Sequence, residues 1–219
     1  EKCSFYECKK LKQISIPSSI KSIGPHAFRE CLSLKDIMIP SSVVSIGEYA
    51  FDGCSKLKQI SIPPSVTKIR KCTFYKCSKL SQISIPSSIT IIEHHAFVGC
   101  SSLTKIIIPS SVTSIGQSSF KECTSLSEIL FERPLSIKSI EKGAFEQCSL
   151  LKQITIPCSL TMITKRLFKS CLELTEIIIP SSITQIDDYA FSECSLKQIL
   201  IPSSITEIGV GCFSKCHLL

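Results

Sequence analysis

Fourteen cysteines, four histidines and a recurrent serine pair are the residues of this 219-residue chain whose types could do chemistry. Thiols cross-link, hold metals or act as nucleophiles, and each use demands its own spacing. Ten of the cysteines (Cys8, Cys31, Cys54, Cys77, Cys100, Cys123, Cys148, Cys171, Cys194 and Cys216) each stand three residues after a recurrent Phe. Such regular spacing, in stacked copies of one unit, would set neighbouring thiols about 4.8 Å apart with parallel side chains. A disulfide needs Cβ atoms about 3.8 Å apart on converging vectors. The ten are therefore read as a reduced, buried, apolar ladder, in keeping with the habitual burial of free cysteine. Cys3, Cys72, Cys158 and Cys212 fall outside the ladder and are the candidates for exposed thiols.

Metal and nucleophile chemistry find little else. No Cys-x-x-Cys pair occurs, and His26, His94, His95 and His217 lack the paired short spacings of structural zinc sites. The adjacent His94 and His95 read as solvated helix or loop residues. The serines belong to a repeated Pro-Ser-Ser corner, with no Gly-x-Ser-x-Gly elbow and no phosphate-cradling Gly-rich loop. The residues thus point away from an enzyme, and they call for no metal and no cofactor.

The element that positions these residues is a 23-residue unit. Leu11, Leu34, Leu57, Leu80, Leu103 and Leu126 are 23 residues apart, and after a 25-residue step the register resumes at Leu151, Leu174, Leu196 and Leu219. A period of this length marks a solenoid, whose units bury their flanks only by stacking. Within one unit, Ile37-Met38-Ile39 alternates as a strand does, and Pro40 ends that strand because it lacks an N–H. Ser41 and Ser42 then supply turn chemistry. A second extended piece carries Val43 and Ile46, and Gly47 follows as a turn residue. Ala50, Phe51, Cys54 and Leu57 have three- and four-residue spacing and predict a short helical turn. The chain contains no Asn, so no N-glycosylation acceptor and no Asn ladder exists. Backbone groups at the corners must then use Ser hydroxyls and water.

The pattern Leu-x-x-Ile-x-Ile-Pro-x-Ser-Val/Ile-x-x-Ile-Gly-x-x-Ala-Phe-x-x-Cys-x-x-Leu resembles the BspA-like, or Treponema pallidum-type, leucine-rich repeat of bacterial surface proteins and parasitic protists, and it covers essentially the whole chain. The resemblance implies an α/β solenoid of nine to ten repeats, a right-handed leucine-rich-repeat superhelix with short helical turns and a parallel sheet on its concave face. It also implies adhesion or partner binding at a cell surface or outside the cell, and no catalytic residues. Phe131 and Glu132 stand where Ile-Pro is expected and Pro134 comes late, which places a two-residue bulge after that strand. Cys194-Ser195-Leu196 is one residue short. The chain opens and closes inside a unit, so it is expected to be a single array, residues 1–219, drawn from a longer one without terminal caps.

The formal charge of +7 is uneven: residues 1–110 hold fifteen Lys/Arg against seven Asp/Glu, and residues 111–219 hold ten against eleven. Lys68, Arg70, Lys71, Lys76 and Lys79 form the densest basic group. It reads as a solvated edge, and a nucleic-acid partner is disfavoured. No apolar stretch is long enough for a transmembrane segment.

Strand alternation fixes the outward column of the sheet as Ser15, Met38, Ser61, Ser84, Ile107, Leu130, Thr155, Ile178 and Leu200. Met38, Ile107, Leu130, Ile178 and Leu200 are the candidate partner-binding residues. They form either a surface for a protein ligand or for self-association, or simply reflect the strand preference of Ile and Leu. Two function classes follow: an interaction module that binds host or neighbouring-cell proteins, and a structural, self-associating spacer array.

Overall fold

The computed structural model describes residues 1–219. The chain winds as a parallel β-solenoid of about nine turns, with close to 23 residues in each. Each coil has three sides, and each side carries its own set of bonds to the next coil.

The first side holds β1 (Gln13–Ser15), β3 (Asp36–Met38), β5 (Gln59–Ser61), β7 (Gln82–Ser84), β9 (Lys105–Ile108) and β11 (Glu128–Phe131). The second holds β2 (Ser22–Ile23), β4 (Ser45–Ile46), β6 (Lys68–Ile69), β8 (Ile91–Ile92), β10 (Ser114–Ile115), β12 (Ser139–Ile140), β13 (Met162–Ile163), β14 (Gln185–Ile186) and β15 (Glu207–Ile208). All pairing is parallel and in register, as in Gln59↔Gln82 and Ile115↔Ile140. Pairing on the first side runs β1-β3-β5-β7, resumes at β9-β11, and ends in a single bridge, Glu128↔Gln153. A strand centred on Ile177–Ile179 is expected from the repeat, but none forms there. Beyond the irregular unit the first side keeps only scattered bonds, such as Glu173 N–H to the Ser149 carbonyl and Lys197 N–H to the Thr175 carbonyl.

The third side corrects the expectation of a helical turn. No helix is present; successive turns run through the segment instead. The amides of His26, Phe28 and Glu30 donate to the carbonyls of Glu48, Ala50 and Asp52 in the next coil, while Ala27, Arg29 and Cys31 donate three residues back in their own coil. This alternation recurs from Cys3 N–H to Pro25 O through Glu193 N–H to Ser214 O, without a gap at the irregular unit. The geometry needs a left-handed residue at every fourth position, and His26 (φ 55°) and Glu30 (φ 59°) supply it in one coil. Three- and four-residue apolar spacing was compatible with a helix, but each coil must give half its donors to its neighbour, which a helix cannot do. Gly47 does not take a left-handed conformation either. A Cβ there would lie 2.4 Å from Pro25 N, so the glycine serves close approach of adjacent coils.

Inside, ten phenylalanines from Phe5 to Phe213 stack with ring centroids 5.1–5.9 Å apart. Beside them runs the cysteine ladder. All fourteen cysteines are free, and Cys31 through Cys194 of the ladder are buried. Cys8, in the first coil, is exposed and Cys216 is half-buried, because neither is covered on both sides. Cys72 and Cys212 are buried, against expectation, whereas Cys3 and Cys158 are exposed as anticipated. Cys72 and Cys212 lie in the turn segment just before Phe74 and Phe213, against Tyr49 and against Ala190 and Phe191 of the preceding coil.

Each ladder thiol does more than fill space. Cys54 Sγ donates to the Phe28 carbonyl at 3.1 Å and Cys100 Sγ to the Phe74 carbonyl at 3.2 Å, and the same bond joins every adjacent pair from Cys31 to Cys216. That carbonyl already accepts the amide of the Cys in its own coil, so the thiol fills its second lone pair. Burial pushes the thiols upward, Cys31 to about 11 and Cys194 to about 12. Hydroxyls serve the corners as anticipated: Ser42, Ser88, Ser111 and Ser204 donate to carbonyls of Ile20, Val66, Ile89 and Ile183 one coil back, and Thr90 and Thr113 extend a parallel chain.

Candidate functional site

Because side chains on the first side alternate, Ile37 and Ile39 enter the core while Asp36 and Met38 face out. Repetition places Gln13, Asp36, Gln59, Gln82 and Lys105 in one outward row and Ser15, Met38, Ser61, Ser84 and Ile107 in the next. These rows floor a concave groove of about 1250 Å³ across the first five coils. Glu132, from the irregular unit, closes one end of it. Lys105 Nζ and Glu128 Oε2 pair at 2.9 Å on the same face. The outward rows therefore carry three amides, three hydroxyls, the Asp36 carboxylate and the Lys105 amine, with one thioether, Met38, and one aliphatic, Ile107.

The five candidate residues share this face, but they are not one patch. Met38 is 83% exposed and stands alone between serine-bearing coils. Ile107 and Leu130 are cross-strand partners and cover each other, at 44% and 40%. Exposed Thr155 separates them from Ile178 and Leu200, which are 85% and 84% exposed. The structure thus brings Met38 and Ile107 into the groove, leaves Leu130 at its far edge, and presents Ile178 and Leu200 as a separate pair. The repeat pattern alone hid Glu132 as a groove wall. Its signal was the misplaced Phe131-Glu132, which marks where the strand rows are interrupted.

The groups considered for catalysis or metal do not converge. No three His, Cys, Asp or Glu side chains come together as a metal site. His94 is exposed, with Nδ1 accepting the Gln117 amide at 3.0 Å and lying 3.2 Å from Glu141. His26 stacks on Tyr49 at 4.8 Å, and Arg29 lies over the same ring at 5.6 Å. In the basic group, Lys68, Arg70, Lys71 and Lys76 are exposed; Lys71 and Lys76 lie over Tyr49 and Tyr75 at 5.9 and 5.4 Å. No helix is long and apolar enough to cross a membrane.

Comparison with known proteins places this geometry. A leucine-rich repeat protein from Bacteroides ovatus is 33% identical over 95% of this chain and 62% of its own, with a TM-score of 0.86. The chain thus spans somewhat under two thirds of that relative. A leucine rich cell surface protein from Faecalibacterium prausnitzii is 29% identical over 100% of this chain and 80% of its own, with a TM-score of 0.53. The T. pallidum leucine-rich repeat protein is 27% identical over 96% and 78%, with a TM-score of 0.60. No curated protein matches. The family model of the BspA type leucine rich repeat region matches residues 1–125 and 90–219, in six copies. With its repeat, its three-sided coil and that match, the chain belongs to the BspA-type leucine-rich-repeat family.

Proposed function

We propose that this chain is a non-enzymatic interaction or adhesion module that works at the cell surface or outside the cell and takes a protein ligand on its sheet face. The observation that carries this reading is the exposure of Met38, Ile178 and Leu200, each above 80%, on the sheet face, whose outward residues vary from coil to coil. Large apolar groups held in water by an ordered surface are anchors that a partner covers. The groove between Gln13 and Glu132 adds a polar half to the same face. The description of the F. prausnitzii relative as a cell surface protein supports the location.

The test compares an Ile178→Thr/Leu200→Thr variant with a Ser61→Thr/Ser84→Thr variant against an array of purified host-matrix and bacterial surface proteins. Loss of a captured protein in the first variant alone supports the reading. Equal capture by both and the parent contradicts it. Light scattering on the same samples separates the spacer alternative, which predicts concentration-dependent self-association that the first variant abolishes.

A further inference from the structure

The turn side carries a second recess, of about 450 Å³, far from the sheet face. Its origin lies in one column of left-handed residues, two positions before each Phe: His26, Tyr49, Cys72, His95, Ser118, Gly143, Arg166 and Tyr189. His95 and Arg166 in this column reach the turn surface, whereas Cys72 and Ser118 are buried. Ser118 and Gly143 are adjacent small members, so the surface drops there between His95 on one side and Arg166 on the other. Two coils at about 4.8 Å each open a notch of roughly 10 Å, the width of a single sugar ring with its substituents.

The notch is polar and of mixed character. Lys121 pairs with Glu146 at 3.4 Å, and Lys165 pairs with Asp188 at 2.8 Å. Lys142 and Arg166 line the same recess, are exposed, and have no carboxylate within 4 Å. Arg166 lies over the Tyr189 ring at 6.0 Å, but neither cation has a carboxylate partner, which favours an anionic group there. A bare anion would leave the remaining lining unused, because Glu122 and Glu146 present carboxylate acceptors and Gln117 an amide. His95 Nδ1 is shielded from solvent and has no partner. Burial, His94 and the nearby lysines favour the neutral ring. A neutral imidazole offers one donor and one acceptor, and both suit hydroxyl groups. Tyr75 and Val98 add an apolar rim for the C–H face of a ring. A peptide carboxylate would use the cations, but its backbone needs an extended groove, and this notch is closed on both sides.

We propose that this recess binds an acidic saccharide, one sugar ring bearing a carboxylate or sulfate, with Lys142 and Arg166 holding the anion and His95, Glu122 and Glu146 meeting its hydroxyls. The site is independent of the protein-binding face, so either can fail alone.

Methyl glucuronide, methyl glucoside and inorganic sulfate are titrated separately into the protein and followed by backbone amide NMR shifts. The expected result is saturable binding of the glucuronide with shifts confined to the residues around the recess, His95–Val98, Gln117–Glu122, Lys142–Glu146 and Lys165–Arg166. The glucoside and sulfate should each bind at least about tenfold more weakly, since one charge-assisted contact is worth about that factor. Lys142→Gln/Arg166→Gln should weaken the glucuronide about tenfold or more, and the charge-matched Lys35→Gln/Lys58→Gln control should not. Ser118→Tyr should abolish binding by filling the notch; Tyr49 and Tyr189 already occupy this column at φ near 55°, so the fold accepts it. Binding that survives Ser118→Tyr, equal loss in the lysine control, equal affinity for the glucoside, or no glucuronide binding at all would each overturn the site.

Discussion

The first four coils and the last three are built on one repeat, yet they present opposite sheet faces. In the first four, β1, β3, β5 and β7 pair continuously and show Gln and Ser to solvent in every coil but the second, which shows Asp36 and Met38. In the last three no strand forms on that side, and Thr155, Ile178 and Leu200 face outward. The second side breaks between β12 and β13 but pairs again in register through β13, β14 and β15, and the turn side donates three amides per coil throughout. The lesson concerns where the fold is over-determined. The Phe stack, the thiol bonds and the turn ladder hold every coil, so the sheet face is free to vary in pairing and chemistry.

The sharpest way to break this comparison is to remove the shared part. Phe120→Ala deletes a fully buried ring from the middle of the stack and should cost about 3–5 kcal/mol. Phe5→Ala, at the partly buried end of the stack, should cost far less. Equal losses in thermal unfolding would show that the stack is not the common framework.

A second test is alkaline. Burial raises the thiols of the ladder from Cys31 to Cys216 above the ordinary value of 9.0, with Cys31 at about 11 and Cys194 at about 12. Between those values the unfolded chain has lost thiol protons that the folded chain keeps, so the unfolded state binds fewer protons and stability falls as pH rises. The thiol contribution should be intact below about pH 9 and decline steadily above it. Unfolding midpoints measured from pH 8 to 11 check this, against a variant with Cys77, Cys100 and Cys123 replaced by Ala, whose decline should be shallower. At pH 8, native protein should react at Cys3, Cys8 and Cys158 while the buried ladder stays unmodified.

The thiol bond itself gives a smaller effect. Cys100→Ala removes the donor to the Phe74 carbonyl and leaves a gap, for a cost of about 1–3 kcal/mol. From sequence, Cys100→Ser would bury a partnerless hydroxyl. The structure reverses that, because a hydroxyl there points at the same carbonyl, so Ser should recover part of what Ala loses.

How much of this was legible in the sequence depends on the side of the coil. The core was readable because Leu, Ile and Phe recur at fixed spacing, and the serine corners because the chain has no Asn to take that role. The turn side was not. Ala50, Phe51 and Cys54 fit helical spacing, and only the inter-coil bonds show that their backbone alternates between two partners. Cys72 illustrates the same limit: it breaks the ladder's spacing, yet it is buried. For the candidate face, the outward column followed from strand alternation. Its division did not, since whether Ile107 covers Leu130 depends on a pairing that Ile178 and Leu200 lack.

That division predicts the smallest stability effects. Ile178→Thr and Leu200→Thr should each stay within about 0.5 kcal/mol, as for exposed sites. Ile107→Thr should cost more, because its partner Leu130 loses cover. Thermal unfolding of the three variants ranks them.

Amide hydrogen exchange tests the central comparison most directly, because it reads all three sides of every coil in one experiment. Amides of Phe168 and Phe191, which donate to Ala190 and Cys212, should be as protected as those of Phe51 and Phe74. Amides of residues 176–178 and 198–200 should exchange far faster than those of β5 and β7. Uniform protection along the sheet face, or loss of protection on the turn side of the last coils, would contradict the account.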